Sequence, residues 1–552
     1  MQALLLLACN GGPQSNPYGA IVALSVEPAS VELTTTSTEQ ETVDYVAIAE
    51  FESGHVEELS GVVGWSLSNE SVGIILQDGH FTTSAEAGGR TLVQANAGGI
   101  LATADVIVVF TESVIDGGAS EVDLDEDAPV DGALRWLYPE DGAALPLNVP
   151  SMTFMWDDAW GADLYRLRFR SATTEVEVWT TSNEYEVVQD IWRVITATNA
   201  GGEVEVRLDA VKLVDGEVAD QVTAEDMSFL VNRFDAFGAI TYFATNKQGI
   251  IRSPVDQVAP VEWFSRETEN TNSYCVGCHV VSPDGERLGY SWQVNTDADE
   301  QVGLASITED IEPEPLIPMD SSADYGSFAT FSSDGDYIVF SEDNELHFYD
   351  GRTGDYASTL DSDLYLTMPH WSADDSMLVA VSGMGNNDNT RFARSALVIF
   401  DHLGDGVFGP PRTLLPEATD YNYYYPMFSP DSQWVAYNRS STGRTAFTED
   451  AALWLVAADG TGEEIELVTA NRSDVGNASW PRWGPIPDDD ILWLAFASNR
   501  PYGHYQPEDS QIWITGIDTT VAETGEDPSL PAYRLPQQSL ETSNHAPFWS
   551  MY

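Results

Sequence analysis

A short turn signature recurs through the C-terminal part of this chain, and no other feature constrains the fold as strongly. It reads as an apolar or aromatic residue, a serine, a variable residue and an aspartate: Val281-Ser-Pro-Asp-Gly285, Phe331-Ser-Ser-Asp-Gly335, Trp371-Ser-Ala-Asp-Asp375, Phe428-Ser-Pro-Asp-Ser432 and, in degenerate form, Trp483-Gly-Pro485. A run of strand formers follows each, at 288–292, 337–340, 378–381, 434–437 and 492–496, and a further run closes many units, at 346–349, 396–400, 453–456 and 511–514. Asp-Gly pairs suit tight turns, because glycine accepts positive φ and aspartate bonds back to its own chain. Repeats of about 45 residues with four strands each are the signature of blades stacked around a common axis.

Five units are complete. A sixth assembles from both ends of the region: 239–245, 249–254 and 260–264 read as the second, third and fourth strands of a blade lacking its first, and Asn544-His-Ala-Pro-Phe-Trp549 matches the segment that precedes each turn. The expected fold class is therefore all-β, with two N-terminal β-sandwich domains followed by a six-bladed β-propeller closed by the C-terminal strand. Closure of this kind removes the open edge a linear array would leave. Over 236–552 the repeat resembles TolB-like propellers.

The rest of the chain reads as modules. Residues 1–20 form a signal and tether. From 21 to 111 apolar and polar residues alternate in short runs, the pattern of antiparallel strands; Trp65-Ser-Leu-Ser-Asn-Glu-Ser-Val72, Asp78-Gly79-His80-Phe81 and Ala87-Gly88-Gly89 resemble the bacterial immunoglobulin-like domains of group 2. Residues 112–131, with Glu121-Val-Asp-Leu-Asp-Glu-Asp127, are acidic and poor in aromatics, as a solvated linker should be. Residues 132–233 form a second β-sandwich, whose Tyr138-Pro-Glu-Asp-Gly142, Met152-Thr-Phe-Met-Trp156 and Tyr165-Arg-Leu-Arg-Phe169 segments resemble a fibronectin type III-like domain.

Charge and cysteine usage bound the partners. With 23 Lys plus Arg against 89 Asp plus Glu, the formal net charge is −66. Such a surface repels nucleic-acid phosphates and anionic headgroups, so neither nucleic acid nor direct adsorption to an acidic membrane is expected. Salt screening in a saline habitat, divalent-cation binding and steering of a basic partner are three readings of this acidity. The chain has three cysteines. Cys9 ends a short apolar run whose Leu6-Leu7-Ala8-Cys9 resembles the lipobox of bacterial lipoproteins, although no Lys or Arg precedes it. The resemblance implies lipidation of Cys9, export, and anchorage in the cell envelope; Asn10 after the cysteine leans towards the outer membrane. Membrane attachment is then through the lipid alone, and the protein is expected to be monomeric.

Cys275-Val-Gly-Cys278-His279 is a C-x-x-C-H sequence, the attachment signature of one covalent haem c. Two thiolates two residues apart form thioethers to the porphyrin vinyl groups, and the adjacent His279 serves as proximal iron ligand. Zinc, a redox dithiol and a disulfide are the alternatives; zinc would want a second cysteine pair, the dithiol a βαβ setting, and a disulfide would leave His279 without a role. The motif runs straight into the first turn signature, so the haem is expected on the propeller, near the mouth of its channel. Aligning the repeats on the turn puts Phe328, Met368, Tyr425, Trp480 and Ala546 level with Cys278. Met368 is the first choice for sixth ligand, with His545 and His370 as competitors and Met427 after them. His55 and His80 read as surface residues, Asp488–Asp490 as a solvated loop, and the loop 384–388 falls short of a calcium site. The sequence carries no hydrolase, metalloprotease, P-loop or dinucleotide signature, and no catalytic residue is assigned. These features favour one-electron transfer with a redox partner protein. A scaffold binding an envelope protein or polysaccharide, with haem secondary, and a haem-dependent oxidoreductase are the other two expectations.

Overall fold

The computed structural model describes residues 16–551 apart from 248, 258, 266–274, 294–300, 309–310, 318–325, 343, 385–391, 443–447, 487–490 and 507–508. Strands carry almost all of its regular structure; among the described residues three α-helices occur, Gln189–Thr198, Val468–Asn471 and Thr519–Ala522. None is long and apolar enough to cross a membrane. The chain packs as two compact units, each assembled from several segments.

The first unit holds the described residues up to Asp127, with Asp163–Thr181 and Arg193–Gln221. Its core gathers Tyr45, Ala47, Phe51, Trp65, Phe81, Val93 and Val106, the inward residues of strands that alternate buried and exposed positions. One long strand, Ile100–Ile115, organises it. The first part of this strand pairs antiparallel with Gly89–Ala97 and parallel with Ser30–Thr35, and its end pairs parallel with Thr174–Thr180 from Phe110↔Thr174 to Ile115↔Trp179. The ladder thus runs into the acidic segment that follows residue 111.

That segment is held further on by charge. Arg166 and Arg168, both nearly buried, take Glu126 between them. The Arg168 guanidinium, working with Arg166 against the upward push of burial, brings the Glu126 carboxyl down to about 2. Beneath them Asp209 is completely buried and accepts from Arg166 Nε at 3.0 Å and Nη2 at 2.8 Å, from Arg207 Nε at 3.1 Å and from Gln221 Nε2 at 3.3 Å.

The second unit holds Ala128–Ala162, Ser182–Trp192 and the chain from Val222 onward. In its N-terminal portion Leu134–Tyr138, Thr153–Asp158 and Glu184–Glu186 form one small sheet, and Ala143–Leu145 pairs parallel with Met227–Val231. Phe154, Trp192 and Phe229 pack between them. The helix Gln189–Thr198, whose residues from Arg193 onward belong to the first unit, departs from the all-strand reading of residues 132–233; Trp192, Ile195 and Asn199 recur at helical spacing and are all buried. Tyr138 then accepts a hydrogen bond from the Arg534 backbone N–H at 3.0 Å, which ties this portion to the last repeat.

The remainder consists of six sheets. In chain order of their first strands, sheet II is Cys275–Val281, Arg287–Gln293, Gln301–Thr308 and Ile311–Ile317, and sheet III is Gly326–Phe331, Tyr337–Glu342, Glu345–Asp350 and Tyr356–Thr359. Sheet IV is Leu366–Trp371, Met377–Met384, Arg394–Gly404 and Arg412–Leu415, with Val407–Phe408 as an added hairpin. Sheet V is Asn422–Phe428, Trp434–Ser440, Ala452–Ala457 and Ile465–Glu466, and sheet VI is Ser479–Trp483, Ile491–Ser498, Gln511–Asp518 and Tyr533–Arg534. Sheet I draws on both ends of the region: Val261–Ser265, Gly249–Pro254, Ala239–Ala244 and then Asn544–Ser550. From II to VI each first strand touches the first strand of the next sheet, and Asn544–Ser550 touches those of sheets VI and II. This up-and-down order within each sheet is the order of propeller blades.

The turn signature has a common chemistry. Ser282, Ser332, Ser372 and Ser429 each donate to the aspartate two residues on, and each hydroxyl accepts the N–H of the residue opening the next strand, Arg287, Tyr337, Met377 or Trp434. Turns of neighbouring sheets are also linked. Arg287 Nη1 donates to the carbonyls of Gly335 and Gly351, Ser333 N–H to Asp375, and Ala373 N–H to Ser432. The serine and the aspartate therefore hold the hairpin by satisfying backbone groups that the turn leaves unpaired.

Candidate functional site

Every first strand contains a bulge two to six residues before its turn position. The register slips between Val276 and His279, Gly326 and Phe328, Thr367 and His370, Tyr424 and Met427, Ser479 and Arg482, and opposite His545 to Phe548. In four of the six the cause is proline. Pro369, Pro426, Pro481 and Pro547 have no N–H to give the ladder, and the chain absorbs each with one extra residue. The residue before each proline, Met368, Tyr425, Trp480 or Ala546, takes φ of 52°, 50°, 54° or 45°. Such a left-handed conformation is costly outside glycine and persists because the surrounding sheets hold it.

Residues in and beside these bulges meet. The Phe328 and Tyr425 rings, from sheets III and V, lie 5.8 Å apart, and Tyr425 stacks on Trp480 of sheet VI at 5.1 Å. Met368 belongs to the same cluster, its Sδ accepting from the Tyr425 N–H at 3.4 Å. His545 meets the Trp480 ring edge at 5.8 Å. Contact between alternate sheets requires positions close to the axis around which the first strands are arranged.

The C-x-x-C-H motif occupies the equivalent stretch of sheet II. Cys275 opens the strand opposite Gln293, His279 pairs with Tyr290, and Gly277 and Cys278 fall in the bulge. The side chains of Cys275 and Cys278 lie outside the described residues, as does Cys9. His279 stands where four other strands carry proline. It is buried, with Nε2 2.8 Å from Thr241 Oγ1 of sheet I. Thr241 Oγ1 also donates to the Phe548 carbonyl at 3.2 Å. One hydroxyl thereby joins the motif, sheet I and the C-terminal strand.

The other residues singled out from sequence are engaged in the same inner layer. His370 Nδ1 accepts the Phe428 N–H at 3.3 Å and Met427 Sδ accepts the Trp483 N–H at 3.2 Å, the same relation one sheet further on. His545 Nε2 lies 2.7 Å from Ser543 Oγ. Met368, His370 and His545 thus stand on two first strands, the first two on Leu366–Trp371 of sheet IV and the third on the C-terminal strand. His80 forms an exposed pair with Asp44 and His55 stacks on Tyr18, both in the first unit. Asp488–Asp490 and most of the loop 384–388 lie outside the described residues. Among the described residues no three His, Cys, Asp or Glu side chains come together as a metal-holding group. The sequence puts Phe328, Tyr425 and Trp480 level with Cys278 without indicating a role for them; their common offset, four residues before the turn, is the signal that marks them.

Burial sets the charge state of two of these imidazoles. Desolvation, reinforced by the nearby Arg482, pushes His370 down to about 3, and desolvation takes His545 down to about 4. Both rings are neutral in the folded protein at pH 7, whereas in the unfolded chain each titrates near its ordinary value of about 6.5. Their contribution to stability is therefore complete above about pH 6.5 and declines as pH falls towards the folded values, because the unfolded chain then binds protons the folded one refuses. The expected loss by pH 4.5 is about 1–3 kcal/mol for each ring. Denaturant titrations between pH 7 and 4.5 check this: His370→Asn, which keeps an acceptor and removes the titration, should flatten the decline, and an unchanged slope would refute the assignment.

No protein-family model matches the chain, and no curated protein does. The solved structures that match the chain share little sequence with it. TolB from Acinetobacter baumannii is 14% identical, over 64% of this chain and 80% of that one, with a TM-score of 0.39. The β-propeller domain of the trilobed protease from Pyrococcus furiosus, described as having an open velcro topology, is 10% identical over 57% and 80%, with a TM-score of 0.28. Kuenenia stuttgartiensis hydrazine synthase is 14% identical over 52% and 81%, with a TM-score of 0.35.

Proposed function

We propose that this protein is an exported β-propeller scaffold of the cell envelope, held by a lipid at Cys9, whose six sheets are six blades closed by the C-terminal strand and whose faces bind an envelope protein or polysaccharide. The pairing of Asn544–Ser550 with Ala239–Ala244 is the observation that carries this reading, since it joins the two ends of the repeat region in one sheet. A frame joined in that way presents its loops rigidly, as a binding platform requires. The acidic surface favours a basic or cation-bridged partner. The test is fractionation of cells producing the full chain. The parent should sediment with membranes and Cys9→Ala should move to the soluble exported fraction; parent protein left in the cytoplasm would refute the reading.

A second reading is favoured by the place of the C-x-x-C-H motif on the innermost strand of sheet II. In it Cys275 and Cys278 hold one haem c covalently and His279 takes the proximal iron position. The donor set suits the group: two thiol positions two residues apart with an imidazole directly after. The haem would supply one-electron chemistry, and the protein would supply a dry frame and a face for a redox partner. For iron, His279 would exchange its hydrogen bond to Thr241, and Met368, His545 or His370 would give up the bonds described above to serve as sixth ligand. In a host with haem-attachment machinery the exported chain should gain the mass of one haem, and Cys275→Ser with Cys278→Ser should abolish it. Parent protein without that mass would remove this reading and leave the scaffold.

A further inference from the structure

We infer that the floor made by Phe328, Met368, Tyr425 and Trp480 is the seat of a planar macrocycle tethered at Cys275 and Cys278, an inference that rests on the haem reading and extends it to residues outside the motif. Three observations lead there. First, the four floor residues and Cys278 hold the same place in their strands, four residues before the turn position, so the tether enters the ring of positions that builds the floor. Second, the floor is a set of flat or polarizable faces: Tyr425 stacked on Trp480, Phe328 tilted against Tyr425, and the Met368 thioether among them. Phe328 and Trp480 are only partly buried, so part of each ring is open to another group. Third, the sixth place in the ring belongs to Ala546, on the strand that touches those of both Trp480 and Cys278. Its methyl group is the smallest side chain at this level.

Aromatic faces and a thioether suit the face of a conjugated ring, because offset stacking and sulfur–aromatic contacts are favourable and water is excluded. Exclusion of water from one face also tunes the iron and limits the access of outside ligands.

Trp480→Leu and Phe328→Leu test the seat in the exported full-length protein, with Tyr356→Leu, exposed on the outer strand of sheet III, as control. The mass increment should persist in all three, since attachment needs the cysteines. Both floor variants should shift the Soret band and bind added imidazole about tenfold more readily, the size of one lost aromatic contact, whereas the control and Trp480→Phe should match the parent. Haem-loaded floor variants indistinguishable from the control would overturn the inference and leave the haem reading standing. A parent without haem by mass would remove both, and the mass measurement alone separates the two cases.

Discussion

A chain that ends at residue 540 should lose the cooperative melting of its propeller altogether. The removed segment contains Asn544–Ser550, which pairs with Ala239–Ala244 and touches the first strands of sheets II and VI. Asn544 is fully buried and its N–H bonds to the Ser510 carbonyl; Trp549 is buried and donates to the Phe237 carbonyl at 2.8 Å. The Phe548 carbonyl accepts from Thr241. Each ladder bond contributes about 1 kcal/mol net, and each buried aromatic roughly 2–3 kcal/mol. Several of each together approach the 5–15 kcal/mol or so that holds a typical domain folded. The deletion also exposes the backbone of Ala239–Ala244 as an unpaired edge inviting aggregation. Calorimetry and near-ultraviolet circular dichroism on the truncated chain check this; a melting transition at the parent temperature would show that the C-terminal strand does not close the ring.

The second large effect belongs to the first unit. Asp209→Ala should destabilise that unit by about 3–5 kcal/mol, because it leaves buried Arg166 without its innermost counter-charge. The carboxylate serves Arg166, Arg207 and Gln221, and three of its four donors are guanidinium nitrogens. Glu126 and Glu177 remain beside Arg166 in the variant, but both are more exposed than Asp209 and more strongly screened. Replacing both partners, Arg166→Met with Asp209→Leu, should recover most of the loss, since an apolar pair carries no desolvation penalty. Chemical denaturation of the parent and the two variants decides it. Equal destabilisation in the single and double variants would mean that the site matters through packing rather than charge.

Much of this architecture was legible in the residues. The Ser-x-Asp turns located the hairpins because their side chains satisfy backbone groups within five residues, an interaction that needs no tertiary context. The strands of sheet I and the match of Asn544–Trp549 to the segment before each turn were legible for the same reason. The helix Gln189–Thr198 was missed because three apolar or amide positions at helical spacing are a weak signal inside a region rich in strand formers. The extension of Ile100–Ile115 into the acidic segment was hidden too, since its partner, Thr174–Thr180, lies some sixty residues further along the chain.

The sequence by itself determined the repeat, the strand-rich class, the strongly negative charge, and the thiol and imidazole chemistry offered by the C-x-x-C-H stretch, because each is read from the residues without their tertiary partners. Tertiary structure alone decided what surrounds that chemistry. That Phe328, Tyr425 and Trp480 meet across alternate sheets, that Met368 and His370 spend their lone pairs on backbone N–H groups of the next strand, and that His279 rests on Thr241 all depend on chain segments tens of residues apart arriving at one axis. Local patterns encode which groups must be satisfied. Only the closing of distant strands around one another settles which partner satisfies them.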